Sequence, residues 1–444
     1  MWGEDRLTSL ADAAIATGDA VEVVLSRTDS ALTRFAGSRI HQNTSRLDGE
    51  ARVRVVLEGR VGVVVTNELS PDAVRDAAAR AREIAELTPP DPHFPGLTPP
   101  GQPYGRTAGP DEETVGCPPQ RRAELVAAAL AELPAGVEAA GTMETSVQER
   151  AVVSSTGVRV YSAGTRATAS VLAQGATSSG WADAGATAIG GLDGAALGRR
   201  AGEKVTLGAD PREMPAGRYP VVLESGATTN LVQWLGWLAF PGRAYNEERS
   251  ALSGRLGEQV CSPLVTIVDD PLSPLLPGAP FDPEGTATRR TALIEGGVAV
   301  GIAHDRATGA VAGTGSTGHA MAAPNPQGGV PTHLLMNHGE QTLDELVAGL
   351  ERGLYVTRFH YTNVVHPVET SITGMTRDGT FLVEDGKIVG GVRNLRFTQS
   401  CLDALAGCEA VGSELELATD LFYGAAMAPA VRLSGFTFTS TTAY

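Results

Sequence analysis

Apolar residues near the start of the chain recur at helical spacing and then give way to short runs typical of strands. Residues 7–15 carry the helical pattern. The strand-like runs that follow it are residues 21–26, 31–36, 51–57 and 60–66. Glu58-Gly59, between the last two runs, is typical of a hairpin turn, and Ser70-Pro71 predicts a capped helix that continues to Leu87. These patterns predict an α/β layer in residues 1–88.

Proline and glycine divide the rest of the chain into regions. Nine of the 27 prolines lie in residues 89–118, a composition that resists regular structure and predicts a linker. Residues 119–210 follow as a strand-rich middle region with a helix near each end. Residues 211–444 combine many short strand-like runs with a few helices and are interpreted as a β-rich C-terminal domain. The predicted fold class is therefore α+β, with an N-terminal α/β-layer domain and this β-rich domain.

The composition is that of a globular protein, and the charge disfavours nucleic acid as a partner. Of 444 residues, 42% are hydrophobic and 19% charged, and 51 acidic against 35 basic residues give a net charge of −16. Such a charge repels phosphate backbones and anionic membrane surfaces. The sequence shows no signal-peptide pattern and no apolar run of about 18 residues, which predicts a cytoplasmic protein. Its four cysteines form no Cys-x-x-Cys pair and are interpreted as inert thiols.

Three segments, in order along the chain, resemble the TldD/PmbA metallopeptidase family. Residues 53–70 resemble its N-terminal hairpin and capped helix, residues 243–270 its central block, and residues 379–398 its C-terminal hairpin with the strand that follows. The family contains a TldD type of subunit, which holds zinc through two histidines and a later cysteine. It also contains a TldE (PmbA) type, which lacks these ligands. The resemblance implies that the two types assemble into a heteromeric peptidase acting on short or unfolded peptides.

The segment 230–238 indicates which type this chain resembles. Metal-binding members of the family carry a His-Glu-x-x-x-His motif on the helix after a strand such as residues 218–223. Gln233, Trp234 and Leu238 stand at the positions of the first His, the Glu and the second His. Zinc needs imidazole, thiolate or carboxylate donors, and a peptidase also needs a carboxylate to activate water. The resemblance therefore implies a TldE-like chain without zinc, and a TldD-like partner that holds the zinc.

The later cysteine ligand of the family is also not matched here. Cys401 and Cys408 lie at an amphipathic helix end and not in the glycine-flanked setting of the family's ligand, so both are interpreted as structural. The expected partners are a zinc-bearing TldD-like subunit and a peptide substrate, in a dimer or heteromer. Some members of the family are labelled modulators of DNA gyrase, but the acidic balance of this chain opposes direct contact with DNA.

Three further residues are candidates for contact with a peptide. Trp234 and Trp237 lie about one turn apart on a helix with a continuous apolar face, and we interpret this helix as buried and structural. The alternative is that the helix lines a substrate chamber whose catalytic groups come from another chain. Residues 392–398 are a candidate edge strand that pairs with an extended peptide, which makes Asn394 a third candidate contact.

Two groups of residues are alternative metal sites. One consists of His360, His366 and Glu369, although a strand places its two histidines roughly 20 Å apart at about 3.3 Å per residue. The other contains His333 and His338. Either group would make the chain an autonomous hydrolase with a metal site of its own. A non-enzymatic binding or regulatory protein that keeps the fold is a third interpretation.

Overall fold

The first sheet combines strands from before and after the proline-rich segment 89–118. The computed structural model describes residues 1–419 and 424–441. The strands of this sheet are β1 (Ala20–Ala36), β2 (Arg39–Leu57), β3 (Arg60–Thr66), β4 (Glu138–Ser154), β5 (Arg159–Gln174) and β6 (Ser179–Ala186). They pair antiparallel in the order β3-β2-β1-β4-β5-β6. The boundary expected at residue 88 therefore does not separate two sheets.

Helices cover one face of this sheet, and the C-terminal part of the chain covers the other. The helices are α1 (Glu4–Ile15), α2 (Pro71–Leu87), α3 (Glu112–Val115), α4 (Pro119–Ala131) and α5 (Gly194–Leu207), with a 3₁₀ turn at Ile189–Gly191. Ala151 and Val153 of β4 share a core with α1 and α2, whereas Val152 packs against Phe281 of the C-terminal part. Because successive side chains of a strand point to opposite faces, each face of the sheet has a different neighbour.

The helix starts and tight turns of this half follow the sequence patterns. Ser70 Oγ accepts a hydrogen bond from Ala73 N at 3.2 Å, as expected of the residue that caps α2. Glu58 and Gly59 adopt φ values of 50° and 80° in the turn between β2 and β3. Residues 39–50 are a strand that the pattern missed, because their side chains are mostly polar and exposed. They are held instead by backbone pairing with β1.

The C-terminal half contains two more sheets. The smaller sheet contains the short strands β8 (Ile267–Asp269), β9 (Thr291–Glu295), β10 (Val298–Ala299), β11 (His333–Met336), β17 (Glu416–Leu417) and β18 (Ala425–Ala428). The longer sheet contains β7 (Gly217–Leu223), β12 (Arg352–His366), β13 (Ser371–Glu384), β14 (Lys387–Gly391), β15 (Leu395–Ser400), β16 (Cys408–Val411) and β19 (Val431–Thr441). Because β12 pairs with both β7 and β13, the strands β7, β12, β13, β15 and β19 close into a ring. The predicted α+β class with a β-rich C-terminal part is confirmed.

One helix occupies the centre of this half. The helices here are α6 (Ser225–Leu238), α7 (Gly242–Asn246), α8 (Arg306–Ala312), α9 (Leu343–Ala348) and α10 (Cys401–Ala406). Helix α6 contacts β12 of the closed ring, β18 of the smaller sheet and α10, and its apolar residues belong to the largest core cluster. Within the described ranges, none of the helices has the length and apolar character needed to cross a membrane.

The candidate edge strand at residues 392–398 was a wrong prediction. The strand found there, β15, starts at Leu395 and pairs with β13 on one side and β19 on the other. Its backbone groups are therefore occupied and are not available to an added peptide strand. The pattern of a single strand does not reveal its neighbours, and β19 comes from the far end of the described chain.

The contact between β3 and α2 gives a test of this packing. A Cβ on Gly62 would lie 1.9 Å from Ala81 O and 2.6 Å from Ala85 N, so Gly62→Ala must push the helix away. We expect a loss of about 1–3 kcal/mol in the free energy of unfolding, measured with urea. Gly164→Ala in β5 is the matched control, because nothing lies within 4 Å of its Cβ position. Equal stability of the two variants would contradict this account of the packing.

Candidate functional site

The three residues expected at the positions of the metal motif lie inside the protein on α6. Gln233 is 3% exposed, Trp234 8% and Leu238 7%. Trp234 Nε1 donates a hydrogen bond to Thr362 Oγ1 at 3.1 Å, while Leu238 belongs to the surrounding apolar core. Gln233 Nε2 has no hydrogen-bond acceptor among the described residues. These side chains fill space between two sheets and offer no imidazole, thiolate or carboxylate to a metal ion.

The cysteines nearest to α6 do not supply a metal ligand set either. Cys401 begins α10, which packs against α6, and burial raises the pKa of its thiol. Burial likewise raises the pKa of Cys261 to about 12 and that of Cys408 to about 11. A metal binds the thiolate form, which these apolar settings disfavour. Across residues 1–419 and 424–441, no three His, Cys, Asp or Glu side chains gather in a way that could hold a metal. The residues present around α6 thus do not fit zinc.

The two tryptophans of α6 make contacts typical of a structural helix. Trp234 is buried, and Trp237 is half-buried and packs against the same core cluster. Asn230 Nδ2 donates to Thr362 Oγ1 at 3.3 Å, so Thr362 of β12 receives hydrogen bonds from both Asn230 and Trp234. The helix is in this way fixed to the closed ring. A role of the tryptophans in peptide binding stays a prediction.

A buried charge network fixes the residue that precedes α6. Lys204 Nζ of α5 donates to Glu224 Oε2 at 2.8 Å and to Trp181 O at 2.8 Å. Tyr355 of β12 donates its hydroxyl hydrogen to Glu224 Oε1. Lys204, Glu224 and Tyr355 are all buried, so each polar atom of the network needs its partner. The network joins the first sheet, with its covering helix α5, to the closed ring at the start of α6.

A small cavity of about 40 Å³ adjoins this network, beside the first half of α6. The guanidinium of Arg358 lies 3.8 Å from the ring centre of Trp181, and its Nε donates to Asp378 Oδ2 at 3.0 Å. Glu416, also on the cavity wall, pairs with Arg200 at 2.8 Å. Burial raises the pKa of Glu416, and Arg200 opposes that shift. These contacts bridge the two halves of the chain at the cavity wall.

The structure brings only some of the candidate residues together. His360 and Asn394 line one cavity of about 780 Å³ between β5, β6 and the closed ring. His366 is exposed beyond that cavity, where its Nδ1 lies 3.9 Å from Glu369 Oε1. An irregularity in β12 after His360, with φ of 55° at Tyr361, does not bring the two histidines into one metal site.

The second histidine group is also divided. His333 begins β11 and faces a cleft between the first sheet and the C-terminal half, whereas His338 is exposed, with Nδ1 3.0 Å from Gly339 O. Burial lowers the pKa of His333, so its neutral form is favoured. The backbone N–H of His333 donates to Asp269 Oδ2 at 2.5 Å, and Asp269 Oδ1 lies 3.1 Å from His319 Nε2. Sequence reasoning missed Asp269 and His319, because their positions relative to His333 follow no local motif.

Comparisons with known proteins indicate the same family along most of the chain. A family profile described as PmbA/TldA metallopeptidase domain 1 matches residues 21–85, and one described as the central domain matches residues 118–207. A third, described as the PmbA/TldA metallopeptidase C-terminal domain, matches residues 216–440. A protein described as a metalloprotease from Methanothermobacter thermautotrophicus is 28% identical over 222 residues, 50% of this chain and 48% of the relative.

A second relative and a solved structure extend the comparison. The TldD homologue of Haemophilus influenzae, described as a metalloprotease, is 28% identical over 206 residues, 46% of this chain and 42% of the relative. The chain spans about half the length of the curated relatives it matches. The crystal structure of TldE from Thermococcus kodakarensis has a TM-score of 0.88 at 21% identity, covering 98% of this chain and 100% of that one. At that identity the likeness shows a shared fold.

Thiol labelling tests the burial around α6. Cys117 is half-buried, whereas Cys261, Cys401 and Cys408 are buried, the last three with raised pKa values. We expect a chromogenic disulfide reagent at neutral pH to modify one thiol of the native chain rapidly and the others only after unfolding. Cys117→Ser should remove the rapid phase. Rapid modification of several thiols in that variant would contradict the described packing.

The Lys204–Glu224 pair gives a second test. Lys204→Met leaves the Glu224 carboxylate buried without its cation, so we expect a loss of about 3–5 kcal/mol in the free energy of unfolding. Combining it with Glu224→Gln should restore part of that loss, since a neutral amide costs less to bury. Arg75→Met is the matched control, because the exposed Arg75–Asp72 pair should contribute less than about 1 kcal/mol. Equal effects of Lys204→Met and Arg75→Met would contradict the network's role.

Proposed function

Because the chain belongs to the PmbA/TldD metallopeptidase family, we propose that it is the subunit of a heteromeric peptidase that holds no zinc itself. In this proposal a TldD-like partner holds the zinc and the glutamate that activates water. This chain contributes shape, contacts with the partner and part of the surface that receives a peptide. The fold likeness to a TldE structure supports the assignment to this type of subunit.

The observation that carries the proposal is the burial of the three motif positions on α6. Gln233, Trp234 and Leu238 stand where metal-binding members have His, Glu and His, and each is at most 8% exposed. Replacing these three side chains by metal-binding ones would place polar groups in a packed core. Any charge left unpaired there would cost several kcal/mol. In this proposal α6 has a structural role in this chain, and the partner supplies the metal chemistry.

The cavity that contains His360 and Asn394 is the candidate surface for a peptide. Its volume of about 780 Å³ lies within the range of ligand pockets, and its walls combine apolar groups with Arg377 and Arg396. The loss of the edge-strand hypothesis removes backbone pairing along β15 as the mode of capture. Side-chain contacts inside this cavity are the mode we propose in its place.

The test is to purify the chain alone and together with a zinc-bearing TldD-type protein of the same organism. Alone, we expect far less than one zinc per chain by elemental analysis and no hydrolysis of unstructured peptides. Together, we expect one stable complex on size-exclusion chromatography, with zinc and peptidase activity that a chelator removes.

Three results would contradict the proposal. About one zinc per isolated chain would direct attention to a metal site of its own. Peptide hydrolysis by the isolated chain would have the same meaning. Failure to form any complex with the TldD-type protein, with both chains folded, would favour a binding or regulatory protein that keeps the fold.

A further inference from the structure

A second cleft of about 450 Å³ lies between the first sheet and the C-terminal half, and none of its lining residues belongs to α6. Strands β1, β4 and β5 form one wall, with Thr28, Arg150 and Arg166 among its side chains. Phe281, Asp282 and the segment 318–322 are part of the opposite wall. Two arginines from neighbouring strands therefore face a wall that combines apolar and polar groups.

The guanidinium of Arg150 forms no ion pair with the described residues of this cleft. Within residues 1–419 and 424–441 its guanidinium makes no hydrogen bond and no ion pair. Removal from water lowers the pKa of Arg150, and the charge of Asp282 offsets that shift only in part. Other arginines of the same sheet differ: Arg27 Nη1 lies 2.9 Å from Glu149 Oε2, and Arg54 Nη2 lies 2.5 Å from Glu22 Oε1. An unpaired, partly desolvated guanidinium attracts an anion that carries oxygen acceptors.

Arg166 adds a second cation with unused donor capacity. Its Nη2 donates to Ala418 O at 2.8 Å, but its buried Nε has no acceptor among the described residues. Burial lowers its pKa, and Glu144 opposes that shift. In the β4–β5 register Arg150 lies opposite Ser162, four residues before Arg166, so the two arginines are separated by about 13 Å along the strand at about 3.3 Å per residue. Together they give the sheet wall of the cleft a positive charge.

The acidic groups near the cleft are already engaged. Asp282 accepts hydrogen bonds from the backbone N–H groups of Glu284, Thr286 and Ala320, at 2.9 to 3.0 Å. Burial and the neighbouring Glu284 raise the pKa of Asp282 well above its ordinary value. Asp269 lies against His319 and the backbone of His333. No carboxylate in the described residues makes an ion pair with Arg150.

We propose that this cleft binds a carboxylate of a peptide, with Arg150 as its principal partner and Arg166 further along the same wall. A guanidinium matches a carboxylate in a planar, two-bonded geometry, and the hydroxyls of Ser26, Thr28 and Ser162 line the same wall. Phe281 and its proline neighbours offer apolar contact for the adjoining part of the ligand. The peptide nature of the ligand rests on the proposed function, whereas the preference for a carboxylate rests on the cleft alone.

The test uses the full chain without any partner and three probes: N-acetyl-trialanine with a free C-terminal carboxylate, its C-terminal amide, and inorganic phosphate. We expect calorimetric titration to show binding of the free acid and at least tenfold weaker binding of the amide. Arg150→Gln should weaken binding of the free acid at least tenfold, and Arg166→Gln should weaken it less. Arg34→Gln, on the exposed part of β1, is the matched control and should leave binding unchanged.

Four results would overturn the proposal: no binding of any probe, equal binding of acid and amide, binding of phosphate alone, or an unchanged affinity in Arg150→Gln. A stability measurement separates a ligand-binding arginine from a structural one. Replacing an unpaired cation by an apolar residue of similar length, Arg150→Met, should leave the melting temperature of the ligand-free chain unchanged or raise it. A large fall would show a structural role instead. Because no partner or zinc is present, none of these results bears on the assembly of a heteromeric peptidase.

Discussion

The enclosure of α6 between two sheets is the constraint on which the C-terminal half depends. Eleven of its 14 residues are buried, with the closed ring on one side and β18 on another. A helix enclosed in this way must present apolar or hydrogen-bonded side chains in nearly every direction. Trp234 meets this demand by filling core space and donating one hydrogen bond to Thr362. The side chains that fill the core around this helix therefore offer no donor to a metal ion.

The two halves of the chain meet through buried charges as well as apolar contacts. Arg54 of the first sheet pairs with Glu22 beside it and with Glu284 of the C-terminal half. Lys204 and Glu224 join the halves in the same way. Buried pairs of this kind add little net stability, because desolvation offsets most of the attraction. An alternative docking would leave such charges unpaired, however, so the pairs help to specify one arrangement of the halves.

Local features of this fold could be read from the sequence, and non-local ones could not. The cap at Ser70 and the turn at Glu58-Gly59 each depend on a few adjacent residues, and both were found where predicted. The absence of His, Cys, Asp and Glu from α6 was also visible, because it depends only on the residues of one helix. The pairing of β15 on both sides and the meeting of Arg150 with Asp282 in one cleft depend on distant segments. No periodicity in a single sequence encodes such meetings.

Helix α6 and the cleft beside β4 differ in whether their side chains are packed or leave a charge without an ion pair. On α6, Gln233, Trp234 and Leu238 are buried side chains in a packed core. In the cleft beside β4, the guanidinium of Arg150 is partly removed from water and forms no ion pair among the described residues. Side chains that lack a packing or charge partner within the protein are expected where a ligand supplies that partner. Arg150 is such a side chain, because the anion proposed for this cleft would pair with its guanidinium.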